Sequence, residues 1–397
     1  MDFNHKLTIF NKDYLEIKNM IKKIVIKNKL NILIGSGGSS NIIIVNDDYV
    51  VKLISSYNNK LHKIKHNNDT LEGNIYKTLT NTYIINNKTP HIVGIYNKYI
   101  LEDIKIIFPT KCLTLDQKII MPKNKRDNTI EMLCNMKSDY TNKILEKKAT
   151  ILVLENCPTT ISEQLEILLK NKQKINDKII NFNIYMKRII FQLLLTLDKI
   201  HQDYPDFIHN DLFLRNILAV VENDFESLDY VEYNHLGKKY YLPANGIYIK
   251  INDFGFSLNI LKNNSTLEDV IKLNPNNIFE IKNKYRDVYT FLFDLYDGPL
   301  LGGLSAKYLI DIHIKNKKHH ELLMKNLRKQ IGLFFNYKLI DKIHKNNPGS
   351  IDNLWNISES KLLMNTIKKP NEYFKSNVFN DLMKLPNNCR IIKTFLE

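Results

Sequence analysis

Asp211 and Asn216 stand five positions apart in His209-Asn210-Asp211-Leu212-Phe213-Leu214-Arg215-Asn216. In a tight loop that spacing lets one carboxylate face a substrate hydroxyl while an amide oxygen reaches a metal ion. An ordinary Asn/Asp turn is the alternative. Downstream, Ile251-Asn252-Asp253-Phe254-Gly255 sets a carboxylate beside an aromatic ring and a glycine, which suits a metal ligand on a movable segment. Upstream, Gly35-Ser36-Gly37-Gly38-Ser39-Ser40-Asn41-Ile42 is a run of small residues whose backbone N–H groups could close over a triphosphate, or simply make a hairpin turn. Lys52 follows within Val50-Val51-Lys52, and Glu72 lies 20 residues further on. A paired Lys and Glu could hold the α- and β-phosphates; a surface lysine and a dipole-favoured glutamate near a helix N-terminus fit equally.

The elements that must position these residues are legible in outline. Residues 30–54 alternate β-branched runs with Gly/Ser and Asn-Asp turns, an antiparallel meander. A helix starts at Asp69 or Thr70 and carries Glu72 in its first turn. Residues 149–157 read as a buried strand running into a linker, and helices are expected over 160–171 and 177–202. The second has an apolar face of Ile184, Met186, Ile189, Ile190, Leu193, Leu194 and Leu197. Residues 240–252 suggest a strand pair around an Asn-Gly turn, and the chain beyond about 280 is mostly helical. A β-rich first part and an α-rich second part make an α+β arrangement with two lobes: residues 1–157, including a basic segment near 122–148, and residues 158–397, including a hairpin near 221–246.

Composition excludes several classes. With 397 residues, 44% hydrophobic and 25% charged, the chain has material for a full core, and wholesale disorder is ruled out. Lys and Arg outnumber Asp and Glu by 57 to 42, a net charge of +15. That balance favours anionic partners, but the lysines are dispersed and no nucleic-acid-binding motif accompanies them, so nucleic-acid binding rests on charge alone. The four cysteines, Cys112, Cys134, Cys157 and Cys389, lack C-x-x-C spacing, which suggests neither zinc nor a disulfide scaffold and fits a reducing compartment. No transmembrane segment or signal peptide is expected; the greasiest run, Ile189–Leu197, is too short to span a bilayer.

In their order and spacing the four strings resemble the signature set of the eukaryotic-type protein kinase superfamily across roughly residues 30–295. The resemblance implies a bilobal kinase-like fold with a β-rich N-lobe and an α-rich C-lobe, ATP and Mg²⁺ as cofactors, and a protein substrate with serine or threonine hydroxyls. It implies that Gly35, Ser36, Gly37, Gly38 and Ile42 cover the phosphates. Lys52, held by Glu72, would position them, and Asn216 and Asp253 would hold the metal. Asp211 would take or orient the hydroxyl proton, with Arg215 stabilising charge on the γ-phosphate in place of the family lysine, here Phe213. Leu154 would be the gatekeeper, Glu155 and Cys157 would offer backbone groups to adenine, and Asp287, with Asp294 as its rival, would brace the catalytic loop.

The departures are specific. Ser40 replaces the third glycine, Asn210 the arginine of H-R-D, and no A-P-E follows Gly255. Switching by activation-loop phosphorylation is therefore not expected. The H-N-D form with a Tyr-rich insertion before D-F-G resembles divergent serine/threonine kinases of large DNA viruses, for which host cytoplasm or virion is the implied location. Two alternatives stand: a small-molecule kinase of the choline or aminoglycoside type, which shares H-x-D-x-x-x-x-N but not usually D-F-G, and a pseudokinase acting as a nucleotide-binding module.

Overall fold

The computed structural model describes residues 40–45, 49–57, 68–108, 112, 128–258, 260, 286–297, 305–334, 336–338, 341 and 367–397. The chain forms two compact units, one of Met1–Thr80 with Gly94–Asn156, the other of Asn81–Val93 with Cys157–Glu397. Helices and strands both contribute to each, an α+β organisation.

Among the described residues the first unit is a four-stranded antiparallel sheet with two helices against it. Strands β1 (Ser40–Val45), β2 (Tyr49–Tyr57), β3 (Ile95–Leu101) and β4 (Leu145–Glu155) run in the order β1-β2-β4-β3. β2 lies inside the sheet, and Val51, Lys52, Leu53 and Ile54 along it are all buried. Helix α1 (Asn68–Leu79) follows β2 and packs on β2, β3 and β4. Helix α2 (Asn128–Thr141) precedes β4, so the basic 122–148 stretch supplies a helix and the first residues of a strand. Cys112 and Cys134 are joined in a disulfide, where neither disulfide nor zinc was expected. Linear spacing does not reveal which cysteines a fold brings together.

The second unit is built around one long helix. β5 (Thr159–Thr160) leads into α3 (Ile161–Lys170), whose N-terminus is closed by a capping box between Thr160 and Glu163. Helix α4 (Ile175–Asp203) is buried continuously from Arg188 to Ile200, so burial extends right round the helix and takes in polar residues as well as its apolar face. Ile184, assigned to that face from the sequence, is instead 55% exposed, because the N-terminal half is covered on one side only. Gln192, the polar residue in the greasiest run, is fully buried. Its amide donates to the Ile247 carbonyl and accepts from the Ile249 amide, which ties α4 to a strand edge.

Four further strands follow: β6 (Ile217–Glu222), β7 (Asp229–His235), β8 (Lys238–Pro243) and β9 (Gly246–Ile251). The expected pairing of the strands in 240–252 with each other is not what forms. β8 pairs with β7, and β9 pairs with β6. The link between β8 and β9 changes sheets, and a Cβ added at Gly246 (φ 116°) would lie 2.8 Å from the Arg188 guanidinium. That arginine bonds the Asn245 and Ile247 carbonyls, so the link is held by α4 rather than by a ladder.

Helices α5 (Arg286–Asp297), α6 (Ala306–His313) and α7 (Lys317–Ile331) complete the helical part, followed by the short α8 (Pro370–Lys375). The chain then returns as a strand, β10 (Arg390–Phe395), parallel to β7. Arg390 grips Asp229 with two donors, Phe395 stacks on Tyr233, and the Lys199 ammonium of α4 bonds the Asn234 and Leu396 carbonyls. Burial pulls the Lys199 pKa down to about 8. Among the described residues no helix is long and apolar enough to cross a membrane.

Removing β10 uncovers Tyr233 and strips Lys199 of one carbonyl partner. A chain ending at residue 389 is expected to melt about 5 °C or more below the full chain by calorimetry. An unchanged melting temperature would show that β10 adds nothing to the core.

Candidate active site

In the first unit the Lys52 ammonium lies 2.6 Å from a Glu72 carboxylate oxygen, with the residues 5% and 4% exposed. This excludes the surface-lysine reading. β2 places Lys52 in register with Ile43 on one side and Leu152 on the other, and α1 brings Glu72 to it. A buried ion pair costs desolvation that its attraction does not reliably offset, so it is a poor device for stability alone. Gly73, absent from the sequence-based assignment, matters here. A Cβ on it would sit 2.8 Å from Leu152 and Lys98 side-chain carbons, so glycine lets α1 approach β3 and β4 next to Glu72. The signal was an isolated glycine inside a helical pattern.

At the end of β4 the Glu155 amide donates to the Gly94 carbonyl, and the Gly94 amide donates to the Glu155 carboxylate. Glu155 is also in register with Tyr49 of β2. Leu154 beside it is buried, as is Cys157, which falls in the second unit. Gly35, Ser36, Gly37 and Gly38 lie outside the described residues. Ile42 lies in β1, in register with Leu53.

In the second unit the string from His209 to Asn216 forms one bonded assembly. His209 is fully buried between Asn252, whose carbonyl lies 3.0 Å from its Nε2, and the Phe254 ring, 5.0 Å away between centroids. Asn210 takes a positive φ of 69°, which asparagine tolerates better than most residues. Both Asp211 carboxylate oxygens are engaged, Oδ1 by the Arg215 guanidinium at 2.8 Å and Oδ2 by the Asn216 amide at 2.8 Å. The guanidinium also lies over the Phe213 ring, 5.0 Å from its centroid. Arg215 therefore brings positive charge to Asp211, on the loop where the family carries a lysine.

The antiparallel pairing of β6 with β9 brings the Asp253 segment beside Asn216. Ile217 pairs with Ile251, and the Asn252 amide donates to the Asn216 carbonyl. Asp253 follows at once, in the left-handed region at φ 63°, ψ 71°. A carboxylate and an amide oxygen are hard donors of the kind Mg²⁺ takes. Among the described residues no group of three or more His, Cys, Asp or Glu residues could hold a metal, so transition-metal chemistry has no such cluster there.

Helix α5 braces this loop at both ends. Asp287 accepts the His209 amide at 2.6 Å and the Asn210 amide at 2.9 Å. Asp294, about two turns further along the same face of α5, accepts the Leu214 amide at 2.7 Å. The two carboxylates are partners rather than rivals. Burial pushes the Asp294 carboxyl up to about 7, against the pull of the Leu214 amide and Arg215 and with a push from Asp211. Burial likewise draws the Arg286 guanidinium down to about 10, opposed by Asp287 and Asp211.

No family model matches the chain. Two proteins of Acanthamoeba polyphaga mimivirus, both named "putative serine/threonine-protein kinase", are similar to it. One is 34% identical over 377 residues, 91% of each chain. The other is 29% identical over 216 residues, 53% of this chain and 42% of the relative. With the first relative matched over nearly its whole length, the chain belongs to the protein kinase superfamily. Within it, the kinship is with these viral proteins bearing a serine/threonine kinase name.

Two outcomes follow from the buried charges. Lys52→Met leaves Glu72 buried without its partner and is expected to cost about 3–5 kcal/mol in denaturant unfolding, while adding Glu72→Gln recovers part of the loss. Additive single costs would show that the pair is not coupled. Asp294 has its folded pKa raised from 3.8 to about 7, so the folded state keeps a proton that the unfolded chain has lost within that window. Its contribution to stability is present at low pH and lost as pH rises through 7. Asp294→Asn should flatten that part of the stability–pH curve, and an unaltered slope would contradict it.

Proposed function

We propose that this protein is a Mg²⁺- and ATP-dependent protein kinase that transfers the γ-phosphate to serine or threonine hydroxyls. The observation that carries the reading is the fixed Asp211 carboxylate, flanked by Arg215 and Asn216 on a loop whose backbone is anchored by Asp287. Phosphoryl transfer needs placement and charge neutralisation more than covalent catalysis, and this assembly supplies both. Asp211 orients the attacking hydroxyl and takes its proton. Arg215 donates toward the charge that builds on the transferred oxygens. Lys52, kept in place by Glu72, engages the α- and β-phosphates, and the glycine-rich run from Gly35 to Gly38 covers them. Asn216 and Asp253 would hold the metal, which neutralises phosphate charge when bound. Backbone groups of Glu155 and Cys157 receive the adenine. A bilobal kinase-like fold belongs to this reading.

The names of the two relatives favour serine and threonine over tyrosine, and a virus-encoded kinase acting on proteins in host cytoplasm or virion fits them. The chain's own departures, Asn210 and the missing A-P-E, fit a kinase that is not switched by loop phosphorylation.

The test is transfer from γ-labelled ATP to generic protein acceptors, with phosphoamino-acid analysis. Wild type should label serine and threonine. Asp211→Asn should lose about a thousandfold or more in rate, the scale of a missing acid–base group together with its positioning, while still binding nucleotide. Label on an amino-alcohol but on no protein would replace this reading with the small-molecule one. Undiminished transfer by the variant would remove Asp211 from the mechanism.

A further inference from the structure

The loop from Asp211 to Ile217 closes most of its own backbone bonds. The Phe213 amide donates to the Asp211 carbonyl, the Asn216 amide to the Phe213 carbonyl, and the Ile217 amide to the Leu214 carbonyl. Residues Leu214–Asn216 form a single 3₁₀ turn, and Phe213, at its N-cap position, has no side chain able to cap it. The Leu214 amide is thus a first-turn donor that the loop does not satisfy, in a place where Leu214 itself is buried. Its acceptor arrives from 80 residues away, on α5: Asp294 Oδ2 at 2.7 Å, on a residue only 3% exposed.

We propose that Asp294 is a positioning residue of the catalytic loop, an N-cap supplied in trans that fixes the 3₁₀ turn and through it the aim of Arg215 and Asn216 at Asp211. Arg215 and Asn216 are the second and third residues of that turn, and both contact the Asp211 carboxylate. Asp287 holds the loop before Asp211 and Asp294 holds it after, so the carboxylate sits between two anchors on one rigid helix. An uncapped buried amide leaves the turn free to unwind, and a loosened turn releases both side chains that fix Asp211. Burying a carboxylate for a single backbone bond is unfavourable unless the bond does something apolar packing could not.

The proposal rests on the kinase reading for its consequence in rate, but not for the contact itself. The decisive set is Asp294→Leu, Asp294→Asn, Leu214→Pro and the double variant Leu214→Pro with Asp294→Leu. Proline removes the donor. The Phe213 backbone, at φ −84° and ψ 162°, already has the extended conformation that precedes proline, and the first position of a helical turn accepts it. Amide hydrogen exchange of the 212–217 peptide, without nucleotide, should quicken about tenfold in Asp294→Leu and stay near wild type in Asp294→Asn, which retains an acceptor. In transfer assays Asp294→Leu should lower kcat about tenfold or more with KM for the acceptor protein within about twofold, and asparagine should restore most of it. In the Leu214→Pro background the same Asp294→Leu change should cost less than about threefold, because no donor is left to cap. An equal loss in both backgrounds would overturn the proposal and leave Asp294 a mere packing residue. Unchanged exchange in Asp294→Leu would overturn it even if wild type transferred no phosphate, in which case the kinase reading fails separately.

Discussion

A catalytic loop is irregular backbone, and irregular backbone inside a protein must find acceptors for its amides. Here the Asp287 carboxylate takes two of them, from His209 and Asn210, at the point where Asn210 adopts a positive φ. Such a conformation persists only where its surroundings over-determine it. Everything chemical in the second unit hangs from that anchor. It fixes where Asp211 begins, and the pairing of β6 with β9 then sets Asn252 against Asn216 and places Asp253 one residue on. His209, wedged between the Asn252 carbonyl and Phe254, joins the two segments a second time. The loop is held by α5, which is itself packed against α6 and α7, so its geometry is inherited from the helical core.

The same logic governs the charged groups. Lys52, Glu72, Asp287 and Asp294 are all nearly excluded from water, and each has a partner of matching chemistry. Apolar residues of similar size would pack the Lys52 and Glu72 positions at no desolvation cost, whereas at Asp287 and Asp294 they would leave buried amides without an acceptor. Gly73 belongs to the same account: it gives up helix propensity so that α1 can sit close to the sheet and keep Glu72 at Lys52.

Beyond the site, the hairpin of β7 and β8 is integrated rather than appended. Tyr233 stacks on Phe395 and lies against Phe191 of α4, its hydroxyl reaches His91, and His235 meets Asp198 at 2.9 Å. Burial and the nearby Lys250 and Arg188 charges hold His91 well below the usual imidazole range, which suits a neutral ring shared between the Tyr233 hydroxyl and the Ile249 carbonyl. β10 closes this sheet in parallel, so a segment distant in sequence becomes part of the wall behind α4.

What the sequence by itself determined was local. The Asp211–Asn216 spacing, the Lys52 strand, the Glu72 helix and the long α4 are each specified within a short window, by turn chemistry or by one period of apolar residues. Those signals act between neighbours, so they survive reading without a fold. Tertiary structure alone decided the partners. Alternating residues over 240–252 announce strands but not that β8 joins β7 and β9 joins β6. Cysteine spacing did not disclose the Cys112–Cys134 pair, nor did periodicity foretell the parallel return of β10. Ile184 carries the apolar type of a core position yet faces water, because period marks a face and only packing says whether that face is covered. Asp287 and Asp294 stood as competing candidates for one task, and the fold showed two tasks. A carboxylate in a helix says nothing of which distant amide it will meet until the chain has closed around both.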